Sequence, residues 1–266
     1  MCAGRSPASW RRLKSVSRST HLASKRFKGK TCVYCAVNTS ATGDHIFPRS
    51  LFSKVRRDNL PQVPVCDPCN NTKSELETYL ATALALGGQH PDAQAMMGTL
   101  PEKLLRNEKL RRELVEDMRP TSIEEPPPRP GLIPLQFRFR GEKLHDFLAY
   151  AAKGLLWHHW QVILPPEFIV RTVSLTRSGE SLFASLLGNY ARRTESHNLG
   201  EGTIQYQGGQ GRDYPEFSFW GFSIYGGIRF HGESAAASTR SRYQAVVTGL
   251  PDVFSNPDFA KLLIGP

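Results

Sequence analysis

The sequence contains no long hydrophobic run. None of its apolar stretches approaches the roughly 18 to 20 residues that a membrane-spanning helix requires, and its first residues lack the apolar core of a secretory signal. The composition is ordinary for a globular protein, with 39% hydrophobic and 22% charged residues among 266. We therefore expect a soluble protein with no membrane partner, long enough for one large domain or two modest ones.

Cysteine is also scarce. Four of the 5 cysteines form two Cys-x-x-Cys pairs, Cys32 with Cys35 and Cys66 with Cys69, and Cys2 stands alone. A secreted disulfide framework would need more cysteines in a shorter chain, so the pairs indicate metal ligands in a reducing compartment. We expect a cytoplasmic location and an inert thiol at Cys2.

Acidic residues are absent from the first thirty positions. The whole chain has 34 Lys and Arg against 24 Asp and Glu, a formal net charge of +10 and a pI near 9.6. This balance favours a polyanionic partner such as DNA or RNA. We predict that residues 1–30 form a flexible basic arm, although a solubilising tail or an Arg- and Ser-rich transit peptide has the same composition.

The two cysteine pairs can close one zinc site. Each Cys-x-x-Cys turn places two thiolates on one side of a bend, and four thiolates fill a tetrahedral, structural zinc site with no open position. The interval between Cys35 and Cys66 is wider than in an ordinary two-knuckle zinc finger. We therefore expect it to contain further structure.

Polar residues lie in a fixed order within and just after this interval. Asp44-His45-Ile46-x-Pro48 comes first, Asn59-Leu60 follows, and Asn70 and Lys73 come after the second cysteine pair. This ordered set, from Thr31 to Lys73, resembles the HNH endonuclease family of ββα-metal nucleases. It covers less than a fifth of the chain, and the family often has His where this chain has Asn70.

The resemblance implies a fold for this segment. A first strand would end near Asp44-His45, the segment 59–65 would supply a second strand, and a helix would begin within residues 66–70. It also implies a phosphodiester hydrolase that acts on nucleic acid, with DNA as the expected substrate.

The resemblance further implies site roles. His45 would act as general base, Asp44 and Asn70 would hold a catalytic divalent cation such as Mg²⁺, and Asn59 would hold the loop and orient the His45 ring. Lys73 would aid a phosphate or brace the helix. The chemistry is reasonable in itself, since carboxylate and amide oxygens suit a hard cation and a neutral imidazole can accept a proton from water.

Each of these residues has an alternative interpretation. His45 can be a structural histidine or an extra zinc ligand, Asp44 a turn residue, Asn70 a helix cap, and Lys73 a surface lysine. At the level of function, the same cysteines can fold a zinc-ribbon module that binds nucleic acid without cutting it. They can also form a docking surface for another subunit.

For the chain as a whole the sequence predicts the α+β class. A zinc-stabilised ββα-metal module with following helices is expected over 31–118, a Pro-rich linker over 119–134, and an α+β domain of unknown role over 135–266. Apolar spacing predicts helices over Ser74–Leu86, after Pro101 and over Glu142–Trp160, and a strand over Phe168–Leu175. Gly208-Gly209-Gln210-Gly211 predicts a turn. His158 and His159 point about 100° apart on a helix, so this pair is not expected to share a metal ion.

Overall fold

A computed structural model describes residues 26–88, 90–120, 135–227 and 240–255. Over these residues the chain has the mixed α+β class expected from its sequence. Most of the predicted basic arm and most of the predicted Pro-rich linker lie outside the described residues. Among the helices that are described, none is long and apolar enough to cross a membrane.

The first elements are two short strands and a long helix. Strand β1 (Thr42–His45) pairs antiparallel with β2 (Gln62–Val65), and helix α1 (Asp67–Gly87) follows directly. Helix α1 begins seven residues before the apolar pattern that predicted it, because Cys66 takes extended N-cap geometry and Pro68 lies in the first turn. The helix therefore carries both Cys69 and the polar residues that come after it.

Two further helices come next, where the sequence predicted one that begins after Pro101. Helix α2 (Pro91–Arg106) starts ten residues before Pro101, which therefore lies inside the helix. Helix α3 (Glu108–Asp117) is separate, because the Asn107 side chain accepts a hydrogen bond from the Leu110 backbone N–H at 2.9 Å and caps a new helix. Side-chain capping therefore divides a stretch that periodicity alone treated as continuous.

The second half of the chain is built on one long helix and a sheet. A short antiparallel pair, β3 (Met118–Pro120) with β4 (Leu135–Phe137), leads into helix α4 (Gly141–Trp160), close to the bounds that the sequence predicted. The sheet has five antiparallel strands in the order β5-β9-β8-β7-β6, and helix α5 (Arg177–Tyr190) joins its two edges. The strands are β5 (Ile169–Thr176), β6 (Ala191–Leu199), β7 (Ile204–Gly211), β8 (Ser218–Ile224) and β9 (Arg240–Gly249).

The turn predicted at Gly208-Gly209-Gln210-Gly211 is wrong, because these residues form the end of strand β7. Gly208 lies opposite Trp220 in strand β8, and a Cβ atom at Gly208 would stand only 2.1 Å from the indole ring. The glycine provides space for a buried tryptophan on the neighbouring strand. A glycine-rich stretch in a strand can therefore reflect side-chain packing rather than chain reversal.

One hydrophobic core joins both halves of the chain. Its members run from Cys32 in the cysteine-bounded segment to Val246 in the sheet, with α4 contributing a run of fully buried residues. Gly154 lets α4 approach the segment after β1 closely, since a Cβ atom there would stand 2.9 Å from Ile46. Residues of both predicted domains thus pack together, and the division of the chain into these domains stays a prediction.

Polar contacts reinforce this packing. The Arg56 guanidinium donates to Asp92 and to Glu201, each at 2.9 Å, and Thr203 donates to the same Asp92 carboxylate. Asp92 has no exposed side-chain area. A buried carboxylate on α2 therefore links the connection between β1 and β2 to the turn before β7.

Candidate functional site

The four paired cysteines converge on one point. The ligand atoms of Cys32, Cys35, Cys66 and Cys69 lie within 4.8 Å of one another, and the Cys35 and Cys66 sulfurs are 3.9 Å apart. A tetrahedral zinc site with bonds of about 2.3 Å places its sulfurs about 3.8 Å apart. The thiols are not paired as disulfides. The cluster could therefore hold a metal such as zinc.

Local backbone geometry builds each half of this cluster. Ala36 adopts a left-handed conformation with φ of 60°, and its N–H donates to the Cys32 carbonyl oxygen at 2.9 Å, which closes the first turn. Cys66 caps helix α1, and its carbonyl accepts a hydrogen bond from the Asn70 N–H at 3.0 Å. A tight turn and a helix start thus present two thiols each to the same point.

Nitrogen donors surround the sulfurs. The Asn38 backbone N–H lies 3.4 Å from the Cys35 sulfur, and its side-chain amide lies 3.7 Å from the Cys66 sulfur. Burial by itself raises the pKa of Cys35, but hydrogen bonds from the backbone N–H groups of Asn38 and Val37 and from the Cys32 and Cys66 side chains together outweigh it and lower the pKa to about 7. N–H groups aimed at a sulfur favour the thiolate that a metal binds.

A lysine from the second half of the chain also supports the cysteine-bounded segment. Lys153, on α4, donates to the backbone oxygen of Tyr34 at 3.0 Å, and burial lowers its pKa although the nearby thiols act to raise it. The Tyr34 ring packs edge-on against Tyr150 of α4, with centroids 4.9 Å apart. Neither contact was predicted from the sequence, because the partners are more than a hundred residues apart.

Asp44 lies in strand β1 beside a buried lysine. Its Oδ2 atom accepts a hydrogen bond from the Tyr34 hydroxyl at 2.9 Å and lies 2.9 Å from the Lys73 ammonium. Lys73 is only 1% exposed, and it also donates to the His45 carbonyl at 2.8 Å and to the Glu77 carboxylate. These three oxygens match the three N–H donors of an ammonium group. Lys73 therefore ties α1 to the end of β1.

The same environment shifts two neighbouring groups. Burial raises the pKa of Glu77 to about 7, with Asp44 adding to the rise and Lys73 opposing it. Burial, together with the Asp44 carboxylate, raises the pKa of Tyr34 well above its ordinary value. The tyrosine hydroxyl therefore keeps its proton at neutral pH and serves as a donor to Asp44.

His45 ends strand β1 directly opposite Gln62 of β2. The Gln62 side-chain nitrogen lies 2.8 Å from the His45 Nε2 atom. A glutamine amide can donate through its nitrogen or accept through its oxygen, so the direction of this hydrogen bond follows the imidazole tautomer. Gln62, which the sequence did not single out, contacts the imidazole and fixes its orientation.

The two predicted asparagines occupy different positions. Asn59 is exposed, with a left-handed φ of 55°, in the turn before β2. Asn70 is partly buried in the first turns of α1, one turn before Lys73, whereas the adjacent Asn71 is exposed. Asp44, His45 and Lys73 are thus linked by direct contacts, and Asn70 lies on the helix that Lys73 ties to them.

The basic residues between β1 and β2 divide into two groups. Arg49 and Lys54 are exposed, whereas Arg56 contacts Asp92 and Glu201. Arg57 donates to the backbone oxygens of Phe52 and Ser53. Two of the four cations therefore stabilise the connection itself, and two point to solvent.

Comparison of the chain with protein-family models, with curated proteins and with solved structures gives no match. The resemblance to HNH endonucleases accordingly depends on the residues between Thr31 and Lys73 alone.

Proposed function

We propose that this chain is a metal-dependent endonuclease of the HNH type that hydrolyses phosphodiester bonds of nucleic acid, with DNA as the expected substrate. The observation that carries the proposal is the contact of the Lys73 ammonium with both the Asp44 carboxylate and the His45 carbonyl. This contact holds an acid and an imidazole at the end of β1 against the helix that bears Asn70. In this proposal the segment is a zinc-stabilised ββα-metal module.

Asp44 and Asn70 would hold the catalytic cation. Within the described part of the chain, the Tyr34 hydroxyl and the Lys73 ammonium both contact Oδ2 of Asp44, so a cation would bind through Oδ1, together with the Asn70 side-chain oxygen. Such oxygen donors suit a hard divalent ion such as Mg²⁺. When bound, the ion would stabilise negative charge on the phosphate and on the departing sugar oxygen.

His45 would accept the proton of the attacking water. A neutral imidazole serves this role when one nitrogen accepts and the other is held by a partner. Gln62 is that partner, at 2.8 Å from Nε2. Rotation of its amide by 180° would present Oε1 to an Nε2–H group, which leaves Nδ1 as the proton acceptor. Gln62 is therefore a positioning residue, in the role first expected of Asn59.

Lys73 would brace the site rather than bind phosphate. Its three N–H donors match three protein oxygens, and its side chain is 1% exposed. Arg49 and Lys54 are exposed, so they are better placed than Lys73 to contact the nucleic-acid backbone. The net charge of +10 on the whole chain would favour the same contact.

A zinc-ribbon module that binds nucleic acid without cutting it is the second candidate. The cluster of Cys32, Cys35, Cys66 and Cys69 favours it, because four thiolates around one ion form a closed structural site that folds the segment without any catalytic cation. Salt-dependent binding of DNA or RNA without metal-dependent cleavage would select this candidate.

Plasmid cleavage tests the proposal. The purified chain would be incubated with supercoiled plasmid and Mg²⁺ or Mn²⁺, and nicked and linear products would be measured over time. Loss of a general base costs about 10² to 10⁴ in rate, so His45→Ala should be slower by that factor. Asn70→Ala should need more metal for the same rate, whereas Asn71→Ala should not.

The control for His45→Ala is His145→Ala, at a histidine on α4 outside the proposed site. Equal cleavage by wild type and His45→Ala would reject the assignment of the base. Equal metal requirement in Asn70→Ala and Asn71→Ala would reject Asn70 as a ligand. Thermal melts of each variant would separate lost chemistry from lost folding.

A further inference from the structure

A second group of potential metal ligands lies in the C-terminal half of the chain. His159 is in the last turn of α4, and Glu195 and His197 are on strand β6. Alternate residues of a strand point to the same face, so Glu195 and His197 project together toward the end of α4. Strand β6 is an edge strand of the sheet, and the Glu195 and His197 side chains on it are partly exposed to solvent.

The three side chains approach one another at ligand distances. The Glu195 Oε2 atom lies 2.9 Å from His197 Nε2 and 3.7 Å from His159 Nδ1, and one ligand atom from each residue lies within 4.8 Å of the others. Ligands on a tetrahedral ion with bonds of about 2.0 to 2.1 Å are about 3.3 Å apart. The two measured separations, 2.9 and 3.7 Å, lie on either side of this value.

Neighbouring aromatic groups hold His159 in place. The Tyr206 hydroxyl lies 3.1 Å from His159 Nε2, on the side of the ring away from Glu195. When Nε2 donates its proton to the Tyr206 oxygen, Nδ1 presents its lone pair toward Glu195. The His159 ring is also stacked between His197, at 4.9 Å, and Trp220, at 6.0 Å between centroids. The buried ligand is therefore oriented before any ion binds.

One of the three ligand side chains is almost buried, and the other two are partly exposed to solvent. The His159 side chain is 9% exposed, whereas those of Glu195 and His197 are 34% and 39% exposed. An ion can therefore enter from solvent and keep water in its remaining positions. Two imidazoles and one carboxylate select zinc-like transition ions over Mg²⁺, which prefers oxygen ligands.

We propose that His159, Glu195 and His197 form a second metal site, for a divalent transition-metal ion of the zinc, cobalt and nickel class. It shares no residue with the cysteine cluster or with the residues proposed for phosphodiester hydrolysis. Three protein ligands leave at least one coordination position for water or for a ligand from solution, as in an open rather than a purely structural site.

Cobalt binding tests this site directly. The full-length chain would first be loaded with zinc at its four cysteines, and Co²⁺ would then be titrated by calorimetry and by visible absorption. We expect one Co²⁺ per chain whose binding is lost in His197→Ala, with ligand-field bands but no thiolate charge-transfer band. His197→Ala and Glu195→Gln should weaken Co²⁺ binding at least tenfold, and Tyr206→Phe by about 10 to 100-fold through loss of the orienting contact.

His158→Ala is the matched control, since this histidine neighbours His159 in sequence but does not belong to the cluster. Its Co²⁺ affinity should stay within twofold of wild type. The proposal is overturned if the zinc-loaded chain takes up no further Co²⁺, if His197→Ala and Glu195→Gln keep wild-type affinity, or if His158→Ala weakens binding as much as they do.

Discussion

The buried ammonium of Lys73 gives the sharpest test of how the N-terminal segment is held together. Lys73→Met keeps most of the side-chain volume and removes the charge. It leaves the carboxylates of Asp44 and Glu77, which are 14% and 17% exposed, without their shared cation, and the His45 carbonyl without its donor. Breaking a buried ion pair by removing one partner costs about 3 to 5 kcal/mol of unfolding free energy.

Glu77 sets the pH dependence of this loss. Its pKa in the folded chain is about 7 against an ordinary value of 4.5, mainly because of burial, and Lys73 acts to lower it. A carboxyl group whose pKa is raised by folding contributes stability below its unfolded pKa, and this contribution is lost as pH rises through the folded value. Without Lys73 the pKa rises further, so the deficit of Lys73→Met should be larger at pH 8 than at pH 5.

Denaturant unfolding, followed by circular dichroism on zinc-loaded protein, measures both effects. Adding Glu77→Gln to Lys73→Met should restore roughly 1 to 3 kcal/mol, because it removes one unpaired charge. Lys109→Met is the control, since Lys109 and Glu75 form an exposed pair at 3.1 Å whose loss should cost below about 1 kcal/mol. A Lys73→Met loss no larger than that of the control, or no recovery in the double variant, would refute the reasoning.

Three further predictions follow from other parts of the molecule. Cys66→Ser should lower the zinc retained after dialysis by one equivalent and should lower the melting temperature, whereas Cys2→Ser should do neither. Zinc content would be measured by elemental analysis, and equal content in the two variants would contradict the four-cysteine site. Asp92→Asn should flatten the acid side of the stability profile. Burial acts to raise the pKa of the Asp92 carboxyl, but hydrogen bonds, among them those from Thr203 and Arg56, outweigh it and hold the pKa below its usual 3.8. The stability that this carboxylate provides is therefore present above that pH and is lost as pH falls below it. Unfolding midpoints measured at a series of acidic pH values check this prediction. The same pH dependence in wild type and Asp92→Asn would count against it. Gly208→Ala should lower the free energy of unfolding by about 1 to 3 kcal/mol, because the new methyl group would overlap Trp220. The control is Gly98→Ala on α2, which should not lower it, because nothing lies within 4 Å of the new Cβ. Similar chemical-denaturation midpoints for the two variants would show that the strand tolerates the methyl group.

The elements that the sequence predicted well are those with a strong local pattern. Helix α4 was predicted within one residue of its bounds because its apolar residues repeat at helical spacing over five turns, and that face is fully buried. The convergence of the four cysteines followed from two turns whose geometry is set by residues adjacent in sequence. Local patterns failed where a distant partner decided the outcome, as with Trp220 beside Gly208.

The candidate site shows the same division. The adjacency of Asp44 and His45, and the position of Asn70 after the second cysteine pair, can be read from the order of residues. The burial of Lys73 depends on the packing of α1 against β1 and β2. The contact of His45 with Gln62, rather than with the expected Asn59, depends on the register of β1 on β2. A lysine has the same sequence signature whether it is exposed or enclosed by carboxylates.

The group formed by His159, Glu195 and His197 is the clearest case of information that sequence order does not contain. From the sequence, His158 and His159 are not expected to share an ion, because adjacent positions on a helix point about 100° apart. The sheet brings a carboxylate and an imidazole from another element to the second of them. Sequence alone determined the α+β class and the four thiol positions, because these depend on short-range periodicity and turns. Tertiary structure decided which polar side chains share a charge or a possible ion, because those contacts form only when elements distant in the chain pack against each other.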